Sequence, residues 1–579
     1  MVSPPRNPPS GANRAHGEPG ATPLRQNLVR LGAVLVCAIL LFAGPASRAG
    51  FALDDRETIL ENPLVSGQRP ALQAFGQDYW HHRGDAGLYR PLVTLSLRWN
   101  RQWLGDAPAG FHGVNVLLHL AVLAWAGVIL ALLSPKRRVP WWALAVFSLH
   151  PIQSEAVVWI AGRSSSLCAL FGLMPLGLYL AQSASRTVPR SMLAVWAFMG
   201  TLLPLLAKED GLAFAALWWF LPLGFPLARR VSVACALLVV MALRTWALGG
   251  LGLDGSRGAL AGLGILERIP LGLGVLGQGL TSLLWPAIGL QDVNGQGRVW
   301  QAVGLLVLLA LLGALIFTLR SNSPAKRSRT IAGAGLAALA LALLPWLQWI
   351  PGPELFGPRF LYLPLLFGVF ALSATEPSRG SNPLPCAALL VGLTLGLRPV
   401  VAAQSLGFEN PVAFWTQRTI QRTADARSWN GLANALLAQE PMTPGATRAA
   451  RSHFVRAIQL DPNYSRPHVG LALLARQAER PQEERDHLAA ALRLAPQNPI
   501  AWANLGSLHL RAKRPLEALE AYKMATQLQP GRAVLWRGLA RAHAALDHPI
   551  EAQSAIRKAL ALDPSDPRTQ AWSQRIEPH

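Results

Sequence analysis

The sequence is poor in charge. Only 15% of its 579 residues are Asp, Glu, Lys or Arg, where a soluble chain carries about a quarter. That excludes an ordinary soluble globular protein. Acidic residues are the scarcer kind, 31 against 53 basic, for a formal net charge of +22. Cysteine is scarce too. Cys37, Cys168, Cys235 and Cys386 all lie inside apolar runs, where they read as small apolar side chains and not as disulfide partners or metal ligands. Nor is there a basic stripe interleaved with aromatics, so the positive surplus does not point to nucleic acid. Many Lys and Arg residues flank apolar runs instead, as cytoplasmic loops of membrane proteins do.

What the sequence has in abundance is apolar residues. They make up 51% of the chain, and mean hydropathy is +0.28. They cluster in runs of about 17 to 23, the length that crosses a hydrocarbon core of about 30 Å. The fold class expected is all-α: a polytopic membrane helical bundle followed by a C-terminal α-solenoid. Residues 1–26, rich in Pro, Gly, Ala and Asn with Arg6, Arg14 and Arg25, read as a disordered cytoplasmic tail. Leu28 to Gly44 has some signal-peptide character. An uncleaved first helix is preferred, because further spans follow.

A long outer loop, 47–109, comes next. Spans are then expected at Phe111–Leu133, Trp141–Leu149, Leu167–Leu180, Ser191–Leu206, a stretch ending at Arg229-Arg230, and Val231–Leu248. Four more follow at Val299–Leu319, Ile331–Ile350, Phe360–Ser373 and Cys386–Ala402. The Gly-rich stretch Ile269–Leu290, with Pro270 and Pro286, is left uncounted. Counting it would put Lys326-Arg327 and Arg329 on the outer side, against the positive-inside rule. The total is about 11 spans, with the N-terminus cytoplasmic and the C-terminal region on the outer, periplasmic face of a bacterial inner membrane. A transmembrane domain over 27–403, a linker over 404–428 and a repeat domain over 429–579 follow from this division.

From residue 429 a 34-residue period appears. One unit reads Trp502, Leu505, Gly506, Ala518, Tyr522, Ala525, Pro530; the next reads Trp536, Leu539, Ala540, Ala552, Ile556, Ala559, Pro564. Earlier units carry Leu471, Ala472, Leu488, Ala491, Pro496, and Trp429, Phe454, Ala457, Pro462. Small residues at close helix contacts, large ones as knobs and a proline ending the second helix match the tetratricopeptide signature. About four helix pairs would stack into a solenoid with a concave face.

The span count places a set of polar residues on one membrane surface: Asp54, Asp55, Glu155, Arg163, Lys208, Glu209 and Arg359. Each has a plain structural reading. Asp54-Asp55 can stop a helix leaving the bilayer, Lys208-Glu209-Asp210 can cap a span, and Arg359 can anchor at the interface. His150 and Glu155, five apart, do not share a helix face, and His81-His82 are adjacent. Neither pair has the third ligand that zinc needs.

Phe51 to Val65, Tyr89-Arg90-Pro91-Leu92, Phe111-His112 with Asn115 and Leu118-His119, His150 to Val157 with Arg163, Lys208-Glu209, and Arg359 to Pro364 occur in this order ahead of the repeats. Together they resemble the transmembrane and tetratricopeptide-repeat protein O-mannosyltransferase family, in a bacterial-type version, a family of GT-C glycosyltransferases. The resemblance runs from about residue 30 to the C-terminus. It implies transfer of a sugar, mannose by expectation, from a polyprenyl-phosphate carrier to a protein Ser or Thr hydroxyl on the outer face, with the repeats recruiting that protein acceptor. The family's acidic pair in the first outer loop maps onto Asp54 and Asp55. On that basis Asp54 is the expected base, with Asp55 or Glu57 orienting the acceptor. Arg90, His150, Glu155, Arg163, Lys208, Glu209 and Arg359 are the expected donor-binding residues. The donor sugar–lipid is a substrate; no resident cofactor or metal is assigned. Two departures stand out: Pro358 replaces a Glu before the last motif's Arg, and Gln153 replaces the second His of the His-Pro motif. An inverting displacement needs one base, and cations for the leaving phosphate. A membrane-anchored repeat scaffold without catalysis is the alternative reading.

Overall fold

The computed structural model describes residues 23–80, 87–133, 140–183, 189–220, 226–250, 264–284, 297–320, 335–336, 338–340, 342–343, 357–373, 383–439, 441, 443–564 and 566–576. Every regular element among them is helical. His81-His82, Lys326-Arg327, Arg329 and most of the expected 331–350 span lie outside these residues.

Among the described residues, five helices are long and apolar enough to cross a membrane: Arg25–Arg48, Pro108–Leu133, Ile160–Gln182, Pro226–Leu248 and Ala388–Phe408. Three shorter apolar helices, Ser191–Ala207, Arg298–Ala314 and Pro358–Ala371, accompany them. The helices Trp141–Leu149 and Leu212–Phe220 have nine residues each. At 1.5 Å per residue that is about 13 Å, less than half of a hydrocarbon core of about 30 Å. The first stops because His150 precedes Pro151 and is forced into extended backbone, with φ −65° and ψ 124°. The Gly-rich stretch around 269–284 belongs to one continuous helix, Ile265–Leu284, which runs through Pro270. Gly277 and Gly304 let it lie directly on the Arg298–Arg320 helix. A Cβ on either glycine would collide with the other helix's carbonyl oxygens, of Trp300 and Leu273.

The bundle interior is apolar with sparse polar braces. His119 Nδ1 pairs with the Tyr362 hydroxyl at 2.8 Å, and Phe147 packs edge-on to the same tyrosine. Outside the bundle, the helix Pro91–Leu104 carries Trp99 and Trp103 exposed, as a helix lying in an interfacial belt would. Its opposite side fastens the preceding loop. Arg98 Nη1 donates to the carbonyls of Leu64 and Arg69 at 2.8 and 2.6 Å, and Arg101 Nη1 to that of Ile59 at 2.9 Å.

The C-terminal array comprises the helix pairs 426–437/444–460, 466–477/481–494, 499–511/515–528 and 533–544/549–562, then a final helix Pro567–Ile576. Its period is written into the backbone as well as the side chains. Glu479, Lys513 and Asp547, 34 apart, all take φ of 55–56° in the turn inside a pair, and each lies two residues before a helix-starting proline. Trp502 and Trp536 each donate their indole N–H to the carbonyl six residues back, of Pro496 and Pro530, at 2.8 and 2.7 Å. In the last unit Gln570 Nε2 does the same for Pro564.

The Tyr522 ring is packed between Gly506 and Gly538 of two neighbouring helices, and a Cβ on either glycine would run into it. Overpacking such a contact costs about 1–3 kcal/mol. Gly538→Val should therefore destabilise the array by that amount, read as earlier thermal unfolding and faster limited proteolysis between residues 499 and 562, with the bundle unaffected.

Candidate functional site

The polar residues singled out in the sequence gather at one end of the bundle, but they do not all do the same thing. The apolar run before residue 50 ends in a tight turn in which Leu53 adopts φ +50°. This turn sends the two adjacent carboxylates in different directions. Asp54 lines a large cleft. Asp55 is fully buried and does not line it: its Oδ2 accepts from the Ala52 N–H and its Oδ1 from the Ala161 N–H, both at 3.1 Å. Burial pushes the Asp55 carboxyl well above the usual carboxylate range, against those two backbone bonds. Its geometry is that of a buried brace between the outer loop and the turn before residue 163.

Arg163 is also fully buried and stands apart from the cleft lining. Its Nε donates to Asn115 Oδ1 at 2.8 Å, and its Nη2 to Asn100 Oδ1 at 2.7 Å and the Phe111 carbonyl at 3.0 Å. Its Nη1 meets the Ser96 carbonyl at 3.3 Å. With its donors spent on two other helices, it fastens the bundle end; the expectation that it binds a departing phosphate has no support in this arrangement. His150 is likewise occupied locally, its Nδ1 accepting from the Ile152 N–H at 3.2 Å, and it does not line the cleft.

Three ion pairs hold the remaining residues. Arg359 Nη1 meets Glu155 Oε1 at 2.7 Å, and the Arg359 backbone N–H donates to Oε2 of the same carboxylate at 2.9 Å. The guanidinium lies 4.8 Å over both the Trp159 and Phe360 rings. Lys208 Nζ meets Asp210 Oδ2 at 2.5 Å and Ser165 Oγ at 3.1 Å, and Ser165 in turn donates to the Arg359 carbonyl at 3.3 Å. Arg90 grips Glu209 Oε2 with Nε at 3.2 Å and Nη2 at 2.9 Å, and Arg244 approaches the other oxygen at 3.8 Å. Burial alone would raise the Glu209 carboxyl, but the charge and hydrogen bonding of Arg90, a backbone N–H and the charge of Arg244 together leave the group below its usual range.

Asp54, Glu57, Arg90, Lys208 and Arg359 thus share the wall of one cleft of about 3110 Å³ with Tyr79, Trp80 and Trp159. The far wall is made by the linker and the repeats, from Asn410 to Pro567. Arg69 crosses between the two sides, donating from Nη2 to the Leu562 carbonyl at 2.9 Å. Ser165, Trp159 and Arg244 escaped the sequence reading. Nothing in the sequence marks any of the three.

No family model matches the chain. Curated relatives do match in part. The fruit-fly (Drosophila melanogaster) protein O-mannosyl-transferase Tmtc1 is 32% identical over 217 residues, 37% of this chain and 25% of that protein. Human protein O-mannosyl-transferase TMTC2 is 35% identical over 142 residues, 24% of this chain and 17% of that protein. The matched stretches thus span a quarter or less of these relatives' length. Among solved structures, the Pseudomonas aeruginosa protein pilF is 22% identical, covering 27% of this chain and 68% of that one, with a TM-score of 0.25. At that score the likeness carries no weight; the all-α assignment rests on the helices themselves.

If Asp55 is a brace, removing its carboxylate orphans two buried N–H groups at about 1–3 kcal/mol each. Asp55→Ala should lower the melting temperature of the detergent-solubilised protein markedly. Asp55→Asn, which keeps one acceptor oxygen but turns its amide NH2 toward the other backbone N–H, should fall between that variant and the wild type. Equal melting points for the wild type and both variants would remove the brace.

Proposed function

We propose that this chain is a membrane glycosyltransferase that moves mannose from a polyprenyl-phosphate carrier to a Ser or Thr hydroxyl of a protein on the outer face. The observation that carries the proposal is the shared cleft: the Asp54 carboxylate lines the same wall as the cations of Lys208, Arg359 and Arg90, facing the repeats. The partial similarity to proteins named O-mannosyl-transferases supports the same reading.

The chemistry follows from the residue types. The acceptor oxygen attacks the anomeric carbon, its proton passing to the Asp54 carboxylate as the new C–O bond forms. The bond from that carbon to the phosphate oxygen breaks, and the electron pair leaves with the lipid phosphate. Direct attack by the acceptor oxygen, with Asp54 as base and no covalent glycosyl intermediate, corresponds to inversion. The phosphate gains charge during the step, so preorganised cations favour the transition state over the ground state. Lys208 has three N–H donors; Asp210 and Ser165 engage two, and a phosphate oxygen would take the third. The carboxylates Glu155, Glu209 and Asp210 hold their cations in place. They also keep a cleft with no donor bound close to electrical balance. Trp159 and Phe360, beneath Arg359, shield it from water and strengthen its field.

Asp54→Asn should reduce transfer of radiolabelled mannose from polyprenyl-phosphate mannose to an acceptor protein by about 10²–10⁴-fold, with unchanged elution and melting point. Lys208→Ala and Arg359→Ala should weaken donor use while Arg163→Ala lowers the yield of folded protein. Full activity in Asp54→Asn would remove this carboxylate from the reaction. Loss of hexose from outer-face proteins on deletion of the chain, seen by mass spectrometry, is the cellular counterpart; an unchanged glycoprotein profile would favour the scaffold reading.

A further inference from the structure

Lys208 and Arg359 stand far apart in the chain. Lys208 follows the helix Arg190–Ala207, and Arg359 belongs to the short turn Pro358–Leu361. The two cations nevertheless share two neighbours. Both lie over the Phe360 ring, Lys208 Nζ at 5.2 Å and the Arg359 guanidinium carbon at 4.8 Å. The second neighbour comes from a third element, the helix Arg163–Ser183. Its Ser165 is fully buried, accepts from Lys208 Nζ at 3.1 Å and donates to the Arg359 carbonyl at 3.3 Å.

The direction of these two bonds is forced. An ammonium only donates, a carbonyl only accepts, and a serine hydroxyl has one O–H and two lone pairs. The O–H therefore goes to Arg359 and a lone pair to Lys208. The Arg359 side of this bridge is rigid. Glu155 holds its backbone N–H at 2.9 Å and its Nη1 at 2.7 Å, in space that Gly357 leaves open, since a Cβ there would stand 2.8 Å from that nitrogen. The Lys208 side is not rigid by itself, because its ammonium ends a flexible four-carbon stem. Among the described residues its polar partners are Asp210 and Ser165. Asp210 is two residues further along the same turn, so that ion pair moves with the turn and sets no distance to Arg359. Ser165 does set one.

We propose that Ser165 is a positioning residue that fixes the Lys208 ammonium relative to Arg359, so that both cations close on one lipid-linked phosphate together. The inference rests on the proposed transferase reading for the identity of that phosphate. Lys208 and Arg359 line the cleft and Ser165 does not, so it touches no reacting atom and acts through Lys208. An ammonium fixed before the phosphate arrives loses no rotamer freedom on binding and needs no reorientation as charge develops. The departing phosphate carries more charge than the donor, so the placement counts for more in the transition state than in the ground state.

The test is binding of a short-chain polyprenyl phosphate to the full-length detergent-solubilised protein, measured beside single-turnover transfer from polyprenyl-phosphate mannose. Ser165→Ala should weaken lipid-phosphate binding about tenfold, the scale of one hydrogen bond to a charged group. The single-turnover rate should fall by a similar factor, with the donor concentration at half-maximal rate little changed. In a Lys208→Gln background the same substitution should alter binding by less than about twofold, because the ammonium it acts through is gone. A serine that only supported the fold would shift melting point and yield and leave the affinity of the folded fraction alone. Ser165→Cys, close in size but with a weakly hydrogen-bonding thiol, gives the same comparison where Ser165→Ala does not fold. Unchanged binding in the Ser165 variants, or an equal loss with and without Lys208, overturns the positioning role, and mannose transfer by the wild type would then leave the transferase reading standing. Coupling of Ser165 to Lys208 in binding, without mannose transfer by the wild type, upholds the positioning role and overturns the transferase reading.

Discussion

A guanidinium with no water around it fixes the working end of this molecule. Arg163 is surrounded by Asn100 and Ser96 from the interfacial helix and by Asn115 and Phe111 from a membrane-crossing one. Burying a charge so completely is costly unless all its donors are met. Four of its five N–H groups are met by these two helices, and the three helices have little freedom left at this end. The Ala161 N–H, two residues before the arginine, is held by Asp55. The outer loop is therefore fastened to the same knot, and the position of Asp54 on the cleft wall is a consequence of it.

The same knot explains why two neighbouring carboxylates have opposite environments. Leu53 sits in the left-handed region, where a side chain other than glycine or asparagine is strained. Such backbone persists where its surroundings over-determine it, and here the Asp55 bonds to Ala52 and Ala161 supply the determination. Read along the chain, Asp54-Asp55 is one acidic motif. In space it is a buried strut with a cleft-lining carboxylate attached, and only the cleft-lining one shares a cleft with cations.

How much of this was legible follows from the range of each contact. The repeats were readable because their contacts are local and recur. The glycines that admit the Tyr522 ring, the prolines that start helices and the indoles that reach back six residues all lie within one or two periods. Gathering the charges at one end was partly readable, since each lies where an apolar run stops. Which charge meets which was not. Arg90 pairs with a residue 119 positions away and Arg359 with one 204 away, and no periodicity encodes such distances. Arg163 looked like Lys208 and Arg359 in sequence, a cation at a helix end. Only the asparagines that helix packing brings to it, and its burial away from the cleft, set it apart from them.

The arrangement of the cleft constrains the order of events on it. One wall belongs to the bundle and holds its cations in ion pairs; the other belongs to the repeats and leaves several of its arginines unpaired. Paired cations attract anions weakly at long range, whereas unpaired ones attract them over about a Debye length of 10 Å at 0.1 M salt. A soluble anionic partner is therefore drawn first to the repeat side. On the proposed transferase reading, a lipid-bound phosphate, which does not diffuse freely in solution, would reach Lys208 and Arg359 along the membrane surface instead. Two walls with differently committed charges would then separate the two ligands by route. The Arg69 bond to the last repeat helix pair keeps both routes converging on the cleft that Asp54 faces.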